Sequence, residues 1–167
     1  MHLIYFPLAA LVLTLIYSAI SDASQMRISN RLSLIVLLCF AVSTPLAWAG
    51  WDVFGEHMAS GLIFFLIGFA LFAVGGFGGG DAKIMAATAL FFTFGEAFQY
   101  AVWTTLYGGL LAIFAIAGRR FAPPQLATND LVFSLFNVDK KIPYGIALAL
   151  AALTVLPTSD IVQRTIG

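Results

Sequence analysis

Six apolar runs, at 3–20, 32–48, 59–77, 82–94, 97–117 and 142–156, constrain this chain more than any other feature; Lys83 alone brings charge into one of them. A membrane helix needs about 20 mostly apolar residues, with about 17 to 25 tolerated. The fourth and sixth runs are short. The fourth is expected to begin within the Gly-rich stretch before it, and the sixth to continue through Pro157 toward Val162; a re-entrant fourth segment is the alternative for so short a run. The predicted fold is all-α: a polytopic membrane protein with six transmembrane helices, residues 1–167 forming a single membrane-embedded domain.

Composition excludes the main alternatives. Only 10% of residues are charged and 61% are hydrophobic, so eight basic and eight acidic side chains are too few for the polar shell of a soluble domain. A net charge of zero argues against a nucleic-acid binder, which needs Lys and Arg concentrated against phosphates. The single cysteine, Cys39, rules out an internal disulfide and a Cys-based zinc cluster, and reads as a buried thiol. No cofactor or metal is expected.

Charge position then predicts orientation, because cytoplasmic loops collect Lys and Arg. Arg27 and Arg31 fall between the first two runs, Lys83 at the edge of the fourth, and Arg119, Arg120, Lys140 and Lys141 between the fifth and sixth; Arg164 lies elsewhere. Asp52, Glu56 and Glu96 occupy the alternate loops. Both termini are therefore expected on the non-cytoplasmic side. A cleaved signal peptide is not expected, since the first residues lack a basic segment and a small-residue cleavage site. In the connection 118–141, the stretch after Thr128, Asn129 and Asp130 places Asp130, Ser134 and Asn137 on one stripe, which predicts an interfacial helix.

Two acids lie at the same predicted depth on the basic side: Asp22 at the end of the first run, and Asp81 after the run GGFGGG. An ionisable group beside hydrocarbon is costly and points to function, whereas a lone Asp at a helix end is ordinarily solvated. Two carboxyl groups about 3 Å apart share one proton, because ionising one raises the other's pKa. One can then activate water while its protonated partner bonds a scissile carbonyl. Gly75, Gly76, Gly78, Gly79 and Gly80 permit positive φ or close approach by another backbone, of which a peptide substrate is one candidate. Asp81 can also cap the fourth helix. A phosphate loop is excluded, since Gly80 is followed by Asp-Ala-Lys rather than Lys-Ser or Lys-Thr.

With these residues in place, the chain resembles the type IV prepilin peptidase family of membrane aspartyl proteases, in the short form found with tight-adherence (Flp) pilus systems. Three blocks carry the resemblance: Asp22 with Arg27-Ile28-Ser29-Asn30, Gly78-Gly79-Gly80-Asp81 followed by Lys83, and Pro143-Tyr144-Gly145. Ser29 and Ile146 stand where proline is common in the family. The resemblance implies catalysis by Asp22 and Asp81, and a prepilin or pseudopilin substrate whose short basic leader is cut ahead of an apolar helix. It also implies residence in a bacterial or archaeal cytoplasmic membrane, with the site facing the cytoplasm and pilus or secretion machinery as a partner. Long members carry a Cys-rich zinc domain and N-methylate their product; one cysteine and a short first loop predict cleavage without methylation.

Around the acids, Arg27 and Arg31 orient the site or simply satisfy the charge rule. Lys83 biases the acids toward ionisation or meets lipid phosphate, and Asn30 caps the second helix or bonds toward Asp22. Tyr144 packs near the site or sits at the interface. Asp130 and Asp139 are candidates for contacting a leader. His2 and His57 read as loop or terminus residues, and with Asp52 and Glu56 the latter makes a weak metal pattern. Gly61, Gly68, Gly108 and Gly109 mark close helix contacts. A proton-coupled transporter and an inactive assembly subunit are the competing functions.

Overall fold

The computed structural model describes residues 5–121 and 142–166. Helix makes up 85% of them, and no strand occurs among the described residues. The predicted interfacial helix, Arg119 and Arg120 as side chains, and Asp130, Asp139, Lys140 and Lys141 lie outside what is described.

Helix α1 runs from Phe6–Gln25, with Pro7 in its first turn, where no backbone N–H is needed. Leu8, Leu11, Leu15, Ser18 and Asp22 recur at spacings of three and four and form its buried stripe. Leu13, Tyr17 and Ile20 face outward. The helix stops at Met26, held left-handed at φ 53° with its N–H on the Asp22 carbonyl. Ser29 caps α2 (Asn30–Leu46) by accepting from Arg31 N–H at 3.3 Å. Gly50, at φ +103°, then turns the chain into α3 (Trp51–Ala73).

Helix α3 starts eight residues before the apolar run predicted for it, so Asp52, Glu56 and His57 are helical rather than in a loop. Apolarity marks the stretch that avoids water; Asp52 in the first turn suits the positive end of the helix dipole and lets the helix extend beyond it. His57 is buried against Phe40, with ring centroids 6.0 Å apart.

Helix α4 (Gly79–Ala89) begins in the Gly-rich stretch, as expected. Its 11 residues rise about 16 Å, roughly half the hydrocarbon thickness of a bilayer. Helix α5 (Phe94–Phe121) is long, and α6 (Tyr144–Val155) is short. Beyond α6 a 3₁₀ turn, Leu156–Thr158, and extended Ser159 separate it from α7 (Asp160–Ile166), so the sixth run breaks at Pro157 instead of continuing as one helix.

The two short helices lie inside the long ones. Helix α4 packs most heavily on α3 and also on α2, whereas α6 lies between α1 and α5. Alanines make this possible: Ala82, Ala86, Ala87 and Ala89 in α4, and Ala147, Ala149, Ala151 and Ala152 in α6, are buried. A Cβ at Gly68 would come within 3.0 Å of Ala82 and Met85, so α3 can approach α4 closely there. Phe64 and Phe92 flank fully buried Tyr100, with ring centroids 5.4 and 5.2 Å away, joining α3, the end of α4 and α5.

Three helices, Phe6–Gln25, Trp51–Ala73 and Phe94–Ala117, are long and apolar enough to cross a membrane. Their outer faces expose Leu66, Phe69, Phe98 and Ile113, an apolar surface that lipid or protein must cover.

Candidate functional site

Asp22 ends the buried stripe of α1 and is only 5% exposed. A carboxyl group at that depth needs a donor. It has one in Gly145 N–H, in the first turn of α6, which donates to Asp22 Oδ2 at 2.7 Å. Glycine is required at 145 because a Cβ there would lie 2.8 Å from that oxygen, 2.9 Å from Asp22 Cβ and 2.9 Å from Ile28 Cδ1. Pro143, buried and just before α6, leads the chain into this contact.

Ile28 belongs to the short link between α1 and α2. Met26 begins this turn, and Ser21 hydroxyl fastens it by donating to the Arg27 carbonyl at 2.8 Å. Ile28 thereby touches both halves of the site: its Cδ1 packs at Gly145, and its carbonyl faces Gly80, where a Cβ would lie 2.7 Å from the oxygen. The backbone that glycine admits at position 80 is thus the chain's own.

Asp81 occupies the first turn of α4, directly after Gly80, and its Oδ2 accepts from Gly78 N–H at 3.2 Å. Gly78 is the N-cap residue of α4, and Asp81, at the third helical position, bonds back to it as in a capping box, the local N–H contact that was expected of its carboxylate. Gly78 leaves room for that bond, since a Cβ there would come within 2.6 Å of the same oxygen. Gly79 lies under the Phe72 ring. The only left-handed member of the Gly-rich stretch is Gly75, at φ +78°, in the turn out of α3.

The surrounding residues divide differently from expectation. Lys83 Nζ donates to Asn30 Oδ1 at 2.9 Å, tying α4 to the start of α2. Asn30 neither caps α2, a role Ser29 takes, nor turns toward Asp22. Arg27 and Arg31 are exposed, and Arg27 enters the site through its carbonyl. Tyr144 packs its ring on Phe77, centroids 5.6 Å apart, and against Gly108 of α5. Gly61, Gly68 and Gly108 meet neighbours closely, but Gly109 has nothing within 4 Å of a Cβ.

Ile28, Ser21 and Phe77 escaped sequence reasoning. Ile28 and Ser21 work on or through backbone carbonyls, which no side-chain pattern advertises; Phe77 had one signal, as the sole large residue within a glycine run. The site offers two carboxyl groups, on separate helices, each accepting a glycine N–H, while one loop residue, Ile28, packs against Gly145 and against Gly80 beside Asp81. Such an arrangement suits acid–base chemistry on a bond placed between them. Among the described residues, no group of three or more His, Cys, Asp or Glu side chains could hold a metal ion.

A sequence profile described as the type IV leader peptidase family matches residues 9–116, which include Asp22, the Ile28 link and Asp81. No curated protein and no solved structure matches the chain.

Proposed function

We propose that this chain, which belongs to the type IV leader peptidase family, is an aspartic endopeptidase that removes the leader of a prepilin or pseudopilin by means of Asp22 and Asp81. The observation that carries this reading is the convergence on Ile28: its carbonyl adjoins Gly80, next to Asp81, and its side chain adjoins Gly145, which holds Asp22.

In the reaction, one carboxylate takes a proton from water as the oxygen attacks the scissile carbonyl carbon. The protonated partner donates to the carbonyl oxygen as charge develops there. Collapse of the tetrahedral intermediate breaks the C–N bond, a proton passes to the leaving amine, and the pair regains its single shared proton. The titration belongs to the pair rather than to either residue.

Membrane topology completes the proposal. The chain spans the cytoplasmic membrane of a bacterium or archaeon several times, in one domain, with the site toward the cytoplasm and both termini on the other side. Its support is the charge distribution: Arg27, Arg31 and Lys83 share the site's end of the bundle, whereas Asp52, Glu56, Glu96 and Asp160 share the opposite end, where Arg164, paired with Asp160, is the one basic exception among the described residues. Exposed Trp48 and Trp51 at that opposite end suit an aromatic belt. The new N-terminus is left unmethylated.

Co-expression with a candidate prepilin, followed by mass spectrometry of the pilin N-terminus, tests the proposal. A pilin shortened by its leader and bearing an unmodified amine is expected. A pilin of full length beside a correctly inserted enzyme would overturn it.

A further inference from the structure

A groove of about 610 Å³ opens between α3 and α5, which pack sparsely against each other, with Met85 of α4 at its floor. On the α5 side Ala97, Ala101, Thr105 and Gly109 line it at every fourth residue. From Phe94 to Gly109 its α5 wall rises about 22 Å, the length of four helical turns. Small residues in such a row let a second helix approach closely, and the open space at Gly109 shows that α3 does not fill the row. Ser60, midway along α3, supplies a separate sign of a missing partner. It lines the groove, is 1% exposed, and its hydroxyl has no hydrogen-bond partner among the described residues.

The groove ends at Phe77 and Tyr144. Phe77 immediately precedes Gly78, the donor to Asp81; Tyr144 immediately precedes Gly145, the donor to Asp22. The groove thus ends one residue along the chain from the donor to each carboxylate. A second groove, of about 480 Å³ between α2 and α3, ends instead at Asn30 and Lys83, which bond each other.

From these observations, and resting on the peptidase reading above, we infer that the α3–α5 groove seats the apolar helix of the substrate, so that the peptide bond at the helix's N-terminal end meets Asp22 and Asp81. The occupant is a single transmembrane helix. It enters sideways from lipid, packs on the small-residue face of α5, and offers a hydroxyl or backbone partner to Ser60.

Photocrosslinking tests this without turnover. The full chain carrying Asp22→Asn and Asp81→Asn is reconstituted in phosphatidylcholine–phosphatidylglycerol vesicles with a synthetic peptide. That peptide has a short charged leader, then an apolar helix bearing one diazirine-leucine at its centre. Adducts are expected on α3 and α5, at residues such as Ile67, Ala101 and Thr105. Filling the groove by Ala101→Phe or Gly109→Leu should lower their yield at least about fivefold, whereas Leu37→Phe in the other groove should not change it. Adducts confined to Leu34, Leu37 and Leu62, to residues 122–141, or to lipid would overturn the assignment.

A kinetic arm guards against misfolding. With the catalytic acids intact, Ala101→Phe and Gly109→Leu should slow cleavage of the helix-bearing peptide at least about tenfold, while a junction peptide lacking the helix is cut as before. Equal loss on both peptides would overturn the groove assignment. If the unaltered chain forms the α3–α5 adducts yet cuts neither peptide, the peptidase reading fails and the groove stands. If it cuts the long peptide without those adducts, the groove fails and the peptidase stands.

Discussion

Glu96, where α5 begins, accepts two backbone N–H groups, from Thr93 at 2.8 Å and from Asp160 at 2.7 Å, one on each oxygen. Asp22, at the opposite end of the bundle, accepts one among the described residues, from Gly145 on Oδ2. The first carboxylate has a backbone donor on each oxygen: it closes the first turn of α5 and pins the start of α7 against it. Glu56 adds a weaker tie, accepting from Phe94 N–H at 3.4 Å. The second is oriented but retains acceptor capacity for a proton or a water. Carboxylates accepting backbone N–H groups thus brace the fold at one end and, in the proposed function, supply a reactive group at the other, and what separates them is how many of their oxygens carry a backbone donor.

The sharpest way to break this contrast is to neutralise the poised acids. Asp22→Asn or Asp81→Asn should each lower leader cleavage by at least about 10³-fold, the scale of acid–base catalysis, with the helical circular dichroism retained. Cleavage at the unaltered rate by either folded variant would remove the distinction between the two ends.

Next in size are the glycines that shape the site. Gly80→Ala sets a Cβ 2.7 Å from the Ile28 carbonyl, where backbone must move, and should lower cleavage about 10²-fold through misplacement of Asp81. Gly145→Ala meets side-chain atoms instead, Asp22 Oδ2 and Cβ and Ile28 Cδ1, which give way with less backbone movement, so a loss of about tenfold is expected. Initial rates on one prepilin rank the two, and the reverse ranking would mean that Ile28 is not the fixed point of the site.

Glu96→Gln should do the opposite of the Asp variants. It lowers stability by about 1–3 kcal/mol, since charge-assisted bonds to Thr93 and Asp160 are weakened, and leaves cleavage within about twofold at temperatures where the protein is folded. Thermal unfolding in detergent and the cleavage rate measure both sides. Smallest is Lys83→Met, which removes the exposed bond to Asn30 and should change cleavage by no more than about threefold.

How far the sequence foretold this molecule depends on what each feature is made of. Apolar runs located the cores of the helices, but α3 begins at Trp51 because Asp52 and Glu56 are compatible with a helix that continues past its apolar stretch. Pro157 and Ser159 end the sixth helix early, a local backbone decision that hydropathy averages away. In the site, Asp22 and Asp81 were legible as charge in an apolar chain, Gly78 and Gly80 as part of the glycine run before Asp81, and Gly145 through the family resemblance alone. Ile28 was not, since it contributes a carbonyl and a methyl group at a turn. Asn30 was misread for a related reason: Ser29 had already taken the cap, which freed its amide oxygen for Lys83.

The central claim is that Asp22 and Asp81 act as one unit. Single-turnover cleavage of a reconstituted prepilin by Asp22→Asn, by Asp81→Asn and by the double variant tests it most directly, because groups that work together lose their effect together. The account predicts that the double variant is no slower than the slower single one. Losses that multiply, or a single variant that cuts at the full rate, would contradict it.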